Sequence, residues 1–70
     1  MVPLSFAGIG EYTIKSVRGG RGMRRRLISM GINEGDKIRV IKTAPGPIII
    51  AKNSIRIGIG FGMARMIFVI

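Results

Sequence analysis

The chain has 70 residues, with 12 Lys and Arg against three Asp and Glu, and a formal net charge of +9. A chain of this length holds one domain, and its 47% apolar residues argue against intrinsic disorder. Since Cys and His are both absent, disulfides and zinc–cysteine sites are excluded and the most frequent general base is missing. We therefore expect a protein that is not an enzyme.

Glycine and proline divide the chain into short segments, and five of these have the composition or alternation of β-strands. The predicted strands cover residues 12–18, 37–42, 48–52, 55–59 and 66–70. The imperfect alternation of the first strand predicts a bulge. In the second strand Ile38 and Val40 share one face, and in the fourth Ile55, Ile57 and Ile59 are expected to point inward. This spacing predicts a mainly β fold, a small barrel closed by the last strand.

One segment has a helical pattern. Met23, Leu27 and Met30 follow the spacing of one helix face, which predicts an α-helix over residues 22–30. Gly31 is placed to end this helix, and residues 34–36 are expected to form a tight turn. A second, weaker helical turn is predicted around residues 62–65.

The helix carries a strongly basic surface. Arg25 lies opposite the apolar face on a helical wheel, Arg24 and Arg26 flank that face, and Ile28 falls beside the arginines. The simplest interpretation is a solvated helix face. The alternative is a contact surface for a protein or a nucleic acid. The predicted partner-binding residues are Arg18, Arg21, Arg24, Arg25 and Ile28.

No cofactor or metal site is predicted. The glycine-rich segment 19–22 precedes the helix, where free amides attract anions, but it lacks the Lys-Ser/Thr ending of a nucleotide-binding loop and is interpreted as a turn. The methionines are interpreted as core residues. Glu11, Glu34 and Asp36 are the only acidic oxygen ligands for iron, and the last two are expected to serve a turn.

The order of these segments resembles the ferrous iron transport protein A family (FeoA-like). The resemblance rests on residues 17–32, in which a glycine-rich turn leads into an Arg-Leu-rich helix ending Met30-Gly31-Ile32, and on the following Glu34-Gly35-Asp36. It continues through residues 44–48, 57–60 and 64–69, and so covers about residues 4–69. The +9 charge and the apolar segment 61–63 depart from the family pattern.

The resemblance implies an SH3-like barrel with one helix inserted after the first long strand, as a single domain over residues 1–70. It also implies a small cytoplasmic accessory protein of ferrous iron transport. The expected partner is the cytoplasmic GTP-binding domain of the membrane transporter, ferrous iron transport protein B. An arginine finger from Arg24 or Arg25 toward that GTPase is a further hypothesis.

The main alternative is a basic barrel that binds nucleic acid through phosphate contacts. Its weakness is the small number of aromatic residues available to stack on bases, because Phe6, Phe61 and Phe68 lie in apolar segments and are expected in the core. Attraction to an anionic membrane would accompany the transport role. No signal peptide or membrane-spanning segment is expected, because the most apolar stretch is short and contains Arg56 and Arg65.

Overall fold

Antiparallel strands form one sheet in the computed structural model, which describes residues 1–43 and 45–70. The strands are β1 (Val2–Pro3), β2 (Gly10–Val17), β3 (Lys37–Lys42), β4 (Ile48–Lys52), β5 (Ile55–Ile59) and β6 (Ile67–Val69). They are arranged in the order β1-β6-β2-β3-β4-β5. The helices are α1 (Gly20–Ser29) and α2 (Phe61–Ala64), and a 3₁₀ turn spans Leu4–Phe6. The predicted mainly β fold is confirmed.

β2 belongs to both halves of the sheet. Its first residues, from Gly10 to Thr13, pair with β3, whereas Ile14 to Val17 pair with β6. The register shifts between Ile14 and Ser16, which confirms the bulge predicted in this strand. Because a bulge bends and twists a strand, β2 can leave one set of partners and continue along the other.

The C-terminus of α1 is closed by a Schellman motif. Gly31 adopts a left-handed φ of 85°, and its N–H donates to the carbonyl of Ile28 at 2.9 Å. The N–H of Ile32 donates to the carbonyl of Leu27, also at 2.9 Å, and both of these side chains are buried. The predicted stop at Gly31 is confirmed, since glycine adopts this φ without the strain of a Cβ.

The core is aliphatic. The buried hydrophobic residues of the described chain are Leu4, Ala7, Ile14, Leu27, Ile32, Ile38, Val40, Ile48, Ile50, Ile59, Ala64, Ile67 and Val69. Met23, Met30 and Met63 pack against this cluster and are partly buried. The predicted helix face and the inward face of Ile38 and Val40 are therefore confirmed.

Three apolar residues predicted to lie inside are exposed. Ile55 is 63% exposed, because it begins the edge strand β5 beside a turn, where it is paired in register with Lys52. Phe6 is 80% exposed, because a 3₁₀ turn rotates by about 120° per residue and the inward position is taken by Leu4. Phe61 is 60% exposed at the first position of α2, whose buried residue is Ala64. The expectation that the phenylalanines fill the core was wrong for Phe6 and Phe61.

Candidate partner-binding surface on helix α1

α1 begins directly after β2 because glycines turn the chain. Gly19 and Gly20 both have positive φ values, 101° and 76°, which glycine adopts without the strain of a Cβ, and the helix begins at Gly20. The turn predicted over residues 19–22 is therefore confined to Gly19 and Gly20, and the helix predicted to begin at residue 22 begins at Gly20, so that Arg21 and Gly22 belong to its first turn. The helix buries Leu27 and leaves Arg24, Arg25 and Arg26 in solvent.

A groove runs along one side of α1. Its outer wall is a single row of the helix, formed by Arg21, Arg24 and Ile28 at positions i, i+3 and i+7. Val17 at the end of β2 lines both parts of the groove, which have volumes of about 200 and 170 Å³. We call this feature the α1 groove; its lining residues are Val17, Gly20, Arg21, Arg24, Leu27, Ile28, Ile32, Asn33 and Glu34.

Glu34 fixes the middle of the groove. Its Oε2 atom accepts a hydrogen bond from the backbone N–H of Val17 at 3.1 Å and lies 3.3 Å from a guanidinium nitrogen of Arg24. One carboxylate therefore ties the turn after α1 to both the end of β2 and the helix. Arg24 is held in place by this contact and is partly neutralised by it.

The other predicted surface residues fall around the groove. Ile28 is 54% exposed and forms the apolar end of the outer wall. Arg25 is exposed and takes no part in the salt bridges of the described residues. Arg18 lies apart from the groove wall, because its guanidinium carbon stands over the Phe68 ring, 4.9 Å from the centroid. The structure thus brings Arg21, Arg24 and Ile28 together.

The turn after α1 is locked by a second carboxylate. Asp36 Oδ2 accepts a hydrogen bond from the Asn33 N–H at 2.8 Å and lies 2.7 Å from the Lys52 ammonium. Lys52 also donates to the carbonyl of Gly31. The Lys52 contact, and after it the Asn33 N–H, lowers the pKa of the Asp36 carboxyl below its ordinary value. The predicted tight turn at residues 34–36 is confirmed by the hydrogen bond from the Asp36 N–H to the Asn33 carbonyl.

The three side-chain carboxylates of the chain lie beside basic side chains. Glu11 pairs with Arg39 at 3.2 Å, so each acidic side chain of the chain contacts a cation. Within residues 1–43 and 45–70, no three His, Cys, Asp or Glu side chains are grouped as metal ligands. None of the helices in the same residues has the length and hydrophobicity needed to cross a membrane.

The contribution of the turn to the groove was not predicted from the sequence. Glu34 was interpreted only as a turn residue and Asn33 was not singled out, yet both line the groove together with Arg24 and Ile28. The available signal was the charge of Glu34, one of three acids in the chain and the one nearest the arginine run.

Nearly the whole chain is similar to a known protein family. The model of the FeoA domain matches residues 2–70. A candidate Fe(2+) transport protein A of Methanocaldococcus jannaschii is 47% identical to the chain, with 99% of this chain and 85% of the relative covered. The crystal structure of an iron uptake regulatory protein (FeoA) superposes with a TM-score of 0.89 at 38% identity, over 99% of this chain and 93% of that one.

A more distant structure defines the fold class. The FeoA of Stenotrophomonas maltophilia, solved in complex with zinc and described as an SH3 domain protein, superposes with a TM-score of 0.79 at 19% identity. The alignment covers 100% of this chain and 91% of that one. The fold is therefore SH3-like, as the resemblance in sequence implied. Because the family model matches residues 2–70 of the chain and a relative is 47% identical to it, the chain belongs to the FeoA family of ferrous iron transport proteins.

Proposed function

We propose that this chain is an accessory protein of ferrous iron transport that acts by binding the cytoplasmic GTP-binding domain of a ferrous iron transporter. The observation that carries the proposal is the α1 groove, in which the cations of Arg21 and Arg24 stand in one row with the exposed side chain of Ile28. Family membership supplies the transport role, and the groove supplies a surface for a partner. The domain acts at the cytoplasmic side, where the partner lies.

The groove fits a partner segment of mixed chemistry. A carboxylate on the partner would meet Arg21, and an apolar side chain beside it would cover Ile28 and Val17. Arginine is one of the residue types that contribute most of the binding energy at protein contact surfaces. The net charge of +9 accelerates association with an acidic partner, and this effect weakens as salt is added.

The role assigned to this surface is binding and regulation, and no chemical step is assigned to the chain. Arg24 is engaged by Glu34, so it would have to leave that carboxylate before reaching a nucleotide on a partner. Arg25 is exposed and needs no such release. GTP hydrolysis by the partner, measured with the Arg24→Ala and Arg25→Ala variants, tests the arginine-finger hypothesis. Stimulation that persists in both single variants and in the double variant would exclude it.

The proposal is tested by titrating the chain against the transporter's GTP-binding domain in the absence of lipid. Arg21→Glu and Ile28→Ser are each expected to weaken binding about tenfold or more, because both side chains line the α1 groove. Arg56→Glu is the matched control, since it makes the same charge change on β5 and should alter binding about twofold at most, through net charge alone. Equal losses in Arg21→Glu and Arg56→Glu would contradict a local surface.

A nucleic-acid-binding barrel is the second candidate, and the exposure of Phe6 and Phe61 favours it. Exposed aromatic rings on a basic protein can stack on unpaired bases. The same titration with single-stranded and duplex oligonucleotides tests this candidate. Tight binding that declines steeply with salt, together with no binding to the transporter domain, would replace the proposed function with this one.

A further inference from the structure

The exposed rings of Phe6 and Phe61 form a second surface, separate from the α1 groove. They line one shallow cavity of about 230 Å³, where the 3₁₀ turn and α2 come together. We call it the Phe6–Phe61 patch; it consists of Pro3, Ser5, Phe6, Phe61 and Arg65. A single apolar side chain in solvent needs no explanation, but two phenylalanines side by side on a small domain indicate a contact.

Exposed aliphatic residues also occur on the strands next to the patch. In the register of β1 with β6, Val2 lies opposite Val69 and Pro3 lies opposite Phe68. Val2 and Ile70, the residue after β6, are both exposed. These two strands lie at one edge of the sheet, and β6 contacts the 3₁₀ turn. The cavity itself is lined by the two rings and not by these aliphatic side chains.

The charge around the patch is positive. Arg65 is part of the patch itself, and Pro3 is paired in register with Phe68, over which the Arg18 guanidinium stands. The five residues that form the patch include no Asp or Glu. An apolar surface bordered by arginines is complementary to a partner that is apolar inside and anionic at its surface.

We propose that the Phe6–Phe61 patch binds the surface of an anionic lipid bilayer. The two rings enter the boundary between headgroups and acyl chains, and Arg65 remains at the level of the lipid phosphates. Single-stranded nucleic acid fits less well, because a nucleic-acid strand needs a basic track along its backbone, whereas the patch itself holds one cation, Arg65.

Binding of this kind is weak and reversible. Two partly inserted rings provide less apolar contact than a lipid anchor, so attraction between the net charge of +9 and anionic headgroups must contribute. The chain would therefore bind vesicles of phosphatidylcholine with about 30% phosphatidylserine, and bind pure phosphatidylcholine at least about tenfold more weakly. Added salt would release it.

The test is sedimentation of the full chain with these two kinds of vesicle, which contain no protein. The variant Phe6→Ser/Phe61→Ser is expected to lower partitioning into the anionic vesicles about tenfold or more. Ile55→Ser is the matched control for loss of an exposed apolar side chain, and it should leave partitioning unchanged. Arg65→Gln is expected to lower partitioning into the anionic vesicles about fivefold, and Arg56→Gln is expected to lower it about twofold at most.

A second measurement tests whether the side chain at position 61 enters the bilayer. The chain has no Trp, so Phe61→Trp introduces a single fluorophore at the patch, and its emission should shift to the blue with anionic vesicles. Vesicle binding that survives Phe6→Ser/Phe61→Ser, or an unshifted Trp emission, would overturn the proposal, and so would the absence of vesicle binding. A Trp signal that responds to an oligonucleotide and not to vesicles would assign the patch to nucleic acid. Since no transporter is present, these outcomes are independent of the function proposed for the α1 groove.

Discussion

Arg24 and Glu34 are joined across the α1 groove, with 3.3 Å between a guanidinium nitrogen and the same carboxylate oxygen that accepts the Val17 N–H. Both side chains are substantially exposed, at 58% and 42%, so their ion pair contributes little to stability. The ion pair matters instead for geometry, because Glu34 contacts both Arg24 on α1 and the Val17 N–H at the end of β2.

This arrangement predicts unequal costs for the two partners. Arg24→Ala should lower the free energy of unfolding by less than about 0.5 kcal/mol, since it removes only a surface ion pair. Glu34→Ala should cost about 1 kcal/mol, because the Val17 N–H also loses its acceptor. Urea unfolding of both single variants and of the double variant measures the costs and the coupling between the side chains. Equal costs for the two single variants would contradict the anchoring role of Glu34.

Leu27 is the side chain that attaches α1 to the barrel. It is 1% exposed, and Leu27→Ala should lower the free energy of unfolding by about 2–5 kcal/mol, through lost burial and the cavity left behind. A domain of this length has a total stability of about 4–10 kcal/mol, so this variant would unfold at a much lower temperature. Ile50→Val is the milder control at a fully buried site, with an expected loss of about 1 kcal/mol. Thermal unfolding measures both, and a Leu27→Ala loss no larger than that of Ile50→Val would show that α1 packs loosely.

Two glycines of the α1 region should respond oppositely to alanine. Gly31→Ala places a Cβ at a φ of 85° and should destabilise the chain by about 1 kcal/mol or more. Gly22→Ala should stabilise it by about 0.4–1 kcal/mol, because the position is helical, a new Cβ meets no atom within 4 Å there, and the unfolded chain loses freedom. Urea unfolding measures both changes, and the same sign for the two would contradict the assigned helix end.

The Asp36–Lys52 contact makes stability depend on pH. The Asp36 carboxyl has a lowered pKa in the folded chain, because of the Lys52 contact and the Asn33 N–H, so folding favours its charged form. The resulting stabilisation is complete above the ordinary carboxyl pKa of about 3.9 and is lost as the pH falls below that value and through the lowered pKa. Asp36→Asn should remove this contribution at neutral pH. The measurement is urea unfolding of the chain and of Asp36→Asn between neutral and acidic pH.

The two chains should therefore differ most at neutral pH, and the difference in their unfolding free energies should shrink as the pH falls into the acidic range. Glu11→Gln is the control, because Glu11 and its partner Arg39 are both largely exposed. A difference between the chain and Asp36→Asn that stays constant down to strongly acidic pH would contradict the contribution assigned to the Asp36 charge.

Local patterns predicted the parts of the fold in which one face is buried. Alternation places Ile38 and Val40 inside, and helical spacing with Gly31 gives the face and the end of α1. Such patterns succeed because burial and hydrogen bonding act on neighbouring residues. They fail for Ile55, since alternation does not reveal that a residue begins the outermost strand at a turn.

The Phe6–Phe61 patch and the α1 groove are formed by contacts between distant parts of the chain, which could not be predicted from the sequence. Phe6 and Phe61 are separated by most of the chain, and only the packing of the 3₁₀ turn against α2 brings them into one patch. Similarly, the run of arginines predicted a basic helix face, but the role of Glu34 as the opposite wall of the groove requires the turn to fold back on α1. The helix face could therefore be predicted, whereas the groove could not.

The most direct test of the proposed binding surface is nuclear magnetic resonance of the isotope-labelled chain, titrated with the transporter's GTP-binding domain. Backbone signals are expected to shift along the α1 groove, most strongly from Arg21 to Ile28 and at Asn33 and Glu34, while signals of β4 and β5 stay in place. Shifts confined to β4 and β5, or the absence of any shift at saturating concentrations of the domain, would contradict the assignment of the α1 groove as the binding surface.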